Sequence, residues 1–190
     1  MRAFLRLTML AAFVLAAAQV AQADPLPGFS GWLGLVVAGD YRDSSGKPIP
    51  VFDNARKAIV QRLIGLGFDP QHIASLSAAA GNGEATGEGA IPLHGLRDVD
   101  GALNRLRGGA NQGCFIYFTS HGQPGAIWLG QAAVNPAQLK RIVAENCGAR
   151  PTVMVISSCY SGSFLTSDLR TANRMILTAE IGRASCRERV

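Results

Sequence analysis

The chain has 190 residues, 48% of them hydrophobic and 16% charged, with 22 glycines and a formal charge of +5. That length suits one domain. The low charge and high apolar content exclude a disordered polymer, and the lack of a glycine triplet or a sustained heptad excludes collagen and coiled coil. The charge also sits largely at the ends. Dropping Arg2 and Arg6 takes +5 to +3, and dropping a tail with three arginines and two glutamates leaves +2. Arg105 and Arg107 are scattered, with no aromatic platform between them, so a nucleic-acid partner is not indicated.

Met1 to Ala23 reads as an export signal. Arg2 and Arg6 precede an apolar run from Leu7 to Ala18, and Ala21-Gln22-Ala23 offers small residues for cleavage before Asp24. The run falls short of the roughly 20 residues a spanning helix needs. The expectation is an exported protein, periplasmic or secreted, with no membrane span in the mature chain.

From Trp32 the pattern alternates. Leu33 to Ala38 is a short apolar strand followed by Gly39-Asp40. Asp53 is placed to cap a helix whose stripe is Ala55, Ala58, Ile59, Leu63 and Leu66, closed by Gly67. His72 to Leu76 is a second, weaker strand. Gly81 to Gly89 breaks all periodicity and reads as a flexible loop; its glycine spacing and two glutamates do not suit a dinucleotide fingerprint. Leu96, Val99, Leu103 and Leu106 mark a helix ending at Gly108-Gly109. Cys114 to Thr119 is the clearest strand, and Ile127-Trp128-Leu129 suits a small hairpin. Asn135-Pro136 caps and opens a third helix, with Leu139, Ile142 and Val143 inward and Gly148 as its stop. Val153 to Ile156 and Met175 to Leu177 are further strands. The order implies an α/β fold: a mostly parallel sheet between layers of helices. The domain is read as residues 24–179. Residues 181–190 resemble the translation of a common sequencing-library adapter, so 180–190 are set aside as an artefact and natural sequence downstream of Ala179 is expected to be missing.

Ligands of an open parallel sheet bind beyond the carboxyl ends of its strands. Two strands here end in reactive residues: Phe118-Thr119-Ser120 runs into His121-Gly122, and Ile156-Ser157-Ser158 into Cys159-Tyr160. Parallel strands bring both to one rim. A thiol with a pKa near 8.5 is mostly protonated at neutral pH, and an adjacent imidazole can take its proton and later protonate a leaving amine. Gly122 admits a backbone N–H to a developing oxyanion, and the N–H of Cys159 is the second donor. Taken singly, such a histidine is usually a packed or solvated residue and such a cysteine a small hydrophobe; only their joint placement points to chemistry.

The blocks Tyr117-Phe118-Thr119-Ser120-His121-Gly122 and Ile156-Ser157-Ser158-Cys159-Tyr160-Ser161-Gly162-Ser163 resemble the two active-site blocks of the legumain family of cysteine peptidases. Leu35-Val36-Val37-Ala38-Gly39 is similar to that family's first strand, and Asp53-Asn54-Ala55-Arg56 to the start of its first helix. The resemblance spans most of Trp32 to Ala179. It implies a three-layer, caspase-like fold and endopeptidase activity on a peptide or protein substrate. His121 and Cys159 would form the dyad, acting through a thioester acyl-enzyme with no cofactor or metal. Asp53 and Ser157 are the candidate substrate-pocket residues. The pattern departs at Ser157, where animal and plant legumains carry an acidic residue that helps select asparagine, so no asparagine preference carries over. The family also completes its pocket with chain beyond the last strand. Gln-Ala does not precede Cys159, which argues against true caspases. Two rivals stand beside the peptidase: a non-catalytic scaffold or peptide-binding relative, and a transpeptidase that resolves the acyl-enzyme with an amine.

The other reactive side chains have plainer readings. Cys114 and Cys147 are able to pair in an exported protein, but the sequence gives no distance, and buried thiols are the expectation. His72 and His94 lack ligand partners for zinc. Ser161 lacks the glycine that a serine-hydrolase elbow places two residues before its nucleophile. Oligomeric state is not legible.

Overall fold

The computed structural model describes residues 28–166 and 169–179. The export signal at Met1–Ala23 and the adapter-like tail at 180–190 lie outside the described residues.

Six strands form one parallel sheet: β1 (Trp32–Ala38), β2 (Ile73–Ser77), β3 (Ile91–Pro92), β4 (Gly113–Thr119), β8 (Thr152–Ser157) and β9 (Arg174–Ala179), in the order β3-β2-β1-β4-β8-β9. The central strands are apolar on both faces, as a sheet covered twice requires. Leu33, Leu35, Ile116, Phe118, Met154 and Ile156 pack on one side against α3 (Leu96–Leu106) and α4 (Pro136–Cys147). Val36 and Tyr117 pack on the other against α1 (Val51–Gly65), through Leu63 and Ile59, with Phe68 just beyond the helix. This is the expected three-layer α/β architecture. Among the described residues, no helix is long and apolar enough to cross a membrane.

A separate antiparallel sheet, β5 (Gly122–Gln123), β6 (Ala126–Leu129) and β7 (Ala132–Val134), leaves the carboxyl end of β4. The hairpin read at Ile127–Leu129 is its middle strand. The cap read at Asn135 is present: Gln138 N–H donates to Asn135 Oδ1, and Asn135 N–H donates to Gln138 Oε1, both at 2.9 Å. The reciprocal pair satisfies two helix-end donors at once.

Four expectations are corrected. Asp53 is not the cap of α1; the helix begins at Val51 after Pro50, placing Asp53 inside the first turn. The buried face of α1 holds Phe52, Asp53, Arg56 and Leu63, while Ala58 is exposed. Ile59, Leu63 and Leu66 of the expected stripe do pack inward, but the buried face also takes in an ion pair, Arg56 Nε to Asp53 Oδ1 at 2.7 Å. Gly81–Gly89 is not one structureless loop: α2 (Ala78–Gly81) and a 3-10 turn at Ala85–Gly87 fold it back on itself, and a Cβ at Gly87 would overlap the Ala80 amide nitrogen. Cys114 and Cys147 are not buried thiols. They form a disulfide between β4 and α4 with Cα atoms 6.1 Å apart, within the usual bridging range.

Candidate active site

Register builds the site. β1, β4 and β8 are adjacent and parallel, and their last aligned pairs are Ala38↔Thr119 and Thr119↔Ser157. The ladder continues past both ends, since Gly39 N–H donates to Thr119 O (2.8 Å) and Ser120 N–H to Ser157 O (3.2 Å). His121 and Cys159 are each the second residue beyond the Thr119↔Ser157 pair. Strand parity puts Thr119 and Ser157 on the face that α1 covers, the face of Tyr117 and Val155; His121 reaches Phe52 of α1, and Cys159 lies in the turn that follows β8.

The two turns touch through their main chains. A Cβ on Gly122 would overlap the carbonyl oxygen of Cys159 and would sit 3.0 Å from Ser158 Oγ. Only a residue without a side chain lets the strands exit this closely. Trp128 N–H donates to His121 O at 3.0 Å, which makes 121/128 a hydrogen-bonded antiparallel pair. Gly122↔Ile127 is then the non-bonded pair, and the Gly122 N–H points away from β6.

The His121 ring is half-buried and held from two sides. Its Nε2 lies 2.6 Å from the Arg42 carbonyl oxygen. A carbonyl only accepts, so Nε2 carries the hydrogen and Nδ1 is the basic nitrogen. The Phe52 ring stands perpendicular to the imidazole, 89° between planes and 4.8 Å between centroids. Beside the imidazole a cavity of about 320 Å³ opens, lined by Asp40, Tyr41, Arg42, Asp43 and Gln131 among others. Within it the Arg42 guanidinium stacks 4.5 Å over the Tyr41 ring. The Ser45 hydroxyl, then the Lys47 and Ser45 amides, hold the Asp43 carboxyl below its usual range.

Cys159 is half-buried and is held in a disulfide in this structure, so thiol chemistry belongs to the reduced chain. Tyr160, immediately after it, has φ 57° and is the one non-glycine residue with positive φ among the described residues. Such a conformation costs a side-chain-bearing residue roughly 1–2 kcal/mol. Ser163 secures it by donating from both Oγ (2.7 Å) and N–H (3.0 Å) to the Tyr160 carbonyl. Ser120, Ser158 and Ser161 are buried nearby with hydroxyls that have no protein partner.

The candidate pocket residues separate. Ser157 ends β8 at the rim, between Thr119 and Ala179. Asp53 is 1% exposed and is absent from the cavity wall; its carboxylate is taken by Arg56 and by the Ser77 hydroxyl at 3.0 Å. Arg42 and Phe52 carried no sequence signal. A backbone carbonyl serves from any residue type, and a phenylalanine in a first helical turn looks like ordinary core.

A model of the Peptidase C13 family matches residues 93–185. No curated protein matches the chain significantly. Among solved structures, caspase-1 from Spodoptera frugiperda is similar at 13% identity and TM-score 0.47, over 80% of this chain and 61% of that one. A structure titled pro-sf-caspase-1 is similar at 14% identity and TM-score 0.49, over 79% and 61%. The chain thus spans less than two thirds of either protein. The matched segment holds both rim turns, His121-Gly122 and Cys159, so it is over residues 93–185 that this chain is similar to the Peptidase C13 family.

Proposed function

We propose that the chain is the core of a cysteine endopeptidase acting on peptide or protein substrates. In the reduced chain, His121 Nδ1 takes the Cys159 proton and the thiolate attacks the substrate carbonyl carbon. The N–H groups of Gly122 and Cys159 receive the oxyanion. Collapse breaks the C–N bond, the imidazolium protonates the leaving amine, and a thioester remains. Water, losing its proton to His121, then attacks the thioester and releases the acid and the thiol. The observation that carries this reading is the contact of the Gly122 main chain with the Cys159 carbonyl, on a rim where Arg42 O already orients the imidazole.

The export reading belongs to the same proposal. A buried Cys114–Cys147 disulfide suits an oxidising compartment, periplasmic or extracellular. The rival is a non-catalytic peptide-binding scaffold. Iodoacetamide labelling after mild reduction separates the two. A peptidase alkylates at Cys159 much faster than at Cys114 or Cys147, and His121→Ala slows it; equal labelling of all three supports the scaffold. Products formed with and without an added amine distinguish hydrolysis from transpeptidation.

A further inference from the structure

We infer that Phe52, on a helical turn anchored by the buried Asp53–Arg56 pair, is a positioning residue for His121. The inference rests on the peptidase reading above.

A hydrogen bond to one ring nitrogen does not by itself set an imidazole's χ2 torsion, which is broad, or its tilt about the N···O axis. The 2.6 Å contact with Arg42 O fixes neither. Phe52 sits where it blocks both, 5% exposed, with its ring perpendicular to the imidazole at 4.8 Å. That geometry is the favoured edge-on arrangement of aromatic rings.

The next residues explain why Phe52 stays there. Asp53 and Arg56, 1% and 3% exposed, lie on the same buried side of α1. The Arg56 guanidinium donates to Asp53 Oδ1 (2.7 Å), Ser75 Oγ (2.7 Å) and the Glu88 carbonyl (3.4 Å), while the Ser77 hydroxyl donates to Asp53 Oδ2. The first turn of α1 is therefore riveted to the carboxyl end of β2 and to the segment before β3. A helix whose start has no side-chain cap is fixed by a buried network one residue from the ring that touches His121. An apolar residue pair would pack α1 equally well, but it would not fix the helix rotation to one value.

In the cavity beside the imidazole, the β1 exit contributes Asp40, Tyr41, Arg42 and Asp43, while the Asp53–Arg56 pair of α1 is neutralised internally and stays off the cavity wall. Phe52 adds no charge to this set. Its loss therefore acts through ring placement.

The test uses the full chain under mild reduction, measuring iodoacetamide alkylation of Cys159 from pH 5 to 10, with thermal unfolding measured alongside. The expected result is that His121→Ala and Phe52→Leu both slow alkylation at pH 7, the latter by about threefold to tenfold, the worth of one aromatic pair. Phe52→Leu should also move the midpoint of the pH profile up toward that of a free thiol, near 8.5, while Phe52→Tyr keeps the wild-type profile. If His121→Ala slows alkylation but Phe52→Leu leaves both rate and midpoint unchanged, the inference is wrong and the peptidase reading stands. If His121→Ala has no effect, both fall. Should Phe52→Leu not fold, proton NMR of the wild type decides: cross-relaxation between the two rings is expected, and its absence overturns the assignment.

Discussion

Gly122→Ala isolates the contact on which the proposed site depends. The position has no special backbone conformation, so an added methyl acts through space alone. That methyl would overlap the Cys159 carbonyl oxygen and press on Ser158 Oγ. Backbone is the obstacle, so no flexible side chain can swing aside, and the exits of β4 and β8 must part. Overpacking of this kind costs about 1–3 kcal/mol, or roughly 2–12 °C of thermal midpoint for a domain this size. The same shift displaces the two N–H groups proposed above as oxyanion donors, and losing one such donor lowers turnover about 10²–10³-fold. Gly162→Ala is the matched control: it lies three residues past the cysteine, and an added Cβ there meets nothing within 4 Å. Differential scanning calorimetry and peptide-library turnover read the two effects. A Gly122→Ala protein as stable and as active as Gly162→Ala would refute the close approach and the oxyanion assignment built on it.

Three further outcomes follow from the geometry. Replacing Cys114 and Cys147 by alanine opens a loop closed across 33 positions, and loop entropy sets the loss near 3–4 kcal/mol; urea denaturation checks it. Asp53→Ala strands the buried Arg56 guanidinium and is expected to cost about 3–5 kcal/mol, whereas replacement of the exposed Asn54 leaves the unfolding free energy within about 0.5 kcal/mol of wild type. Asp43 has a depressed folded pKa, so its contribution to the Asp43–Lys47 turn is complete above the ordinary aspartate value of about 3.9 and is lost as pH falls through the lower folded value. The Ser45 and Lys47 amide resonances should hold steady down to that value and shift only below it.

Much of the architecture was legible because its signals are local. Buried parallel strands announce themselves as unbroken apolar runs, as at Leu33–Ala38 and Cys114–Thr119, and α4 carries its own start in Asn135-Pro136. The errors came where partners are distant. The stripe assigned to α1 assumed that charged residues face water, but Asp53 and Arg56 neutralise each other and so are tolerated inside. Cys114 and Cys147 looked like two separate small hydrophobes until β4 and α4 crossed. Gly81–Gly89 read as slack chain because its order comes from close backbone approach, which glycines permit and sequence periodicity does not register.

The amino-acid order alone determined that a histidine-glycine pair and a cysteine each follow a buried strand, because strand runs and their ends are written in neighbouring residues. Tertiary structure decided the rest. Sheet order made β4 and β8 neighbours, register set His121 and Cys159 the same distance past their last pair, α1 brought Phe52 onto the imidazole, and the loop after β1 brought the Arg42 carbonyl. Those relations depend on hydrogen bonds and packing between segments many residues apart, where no local pattern reaches.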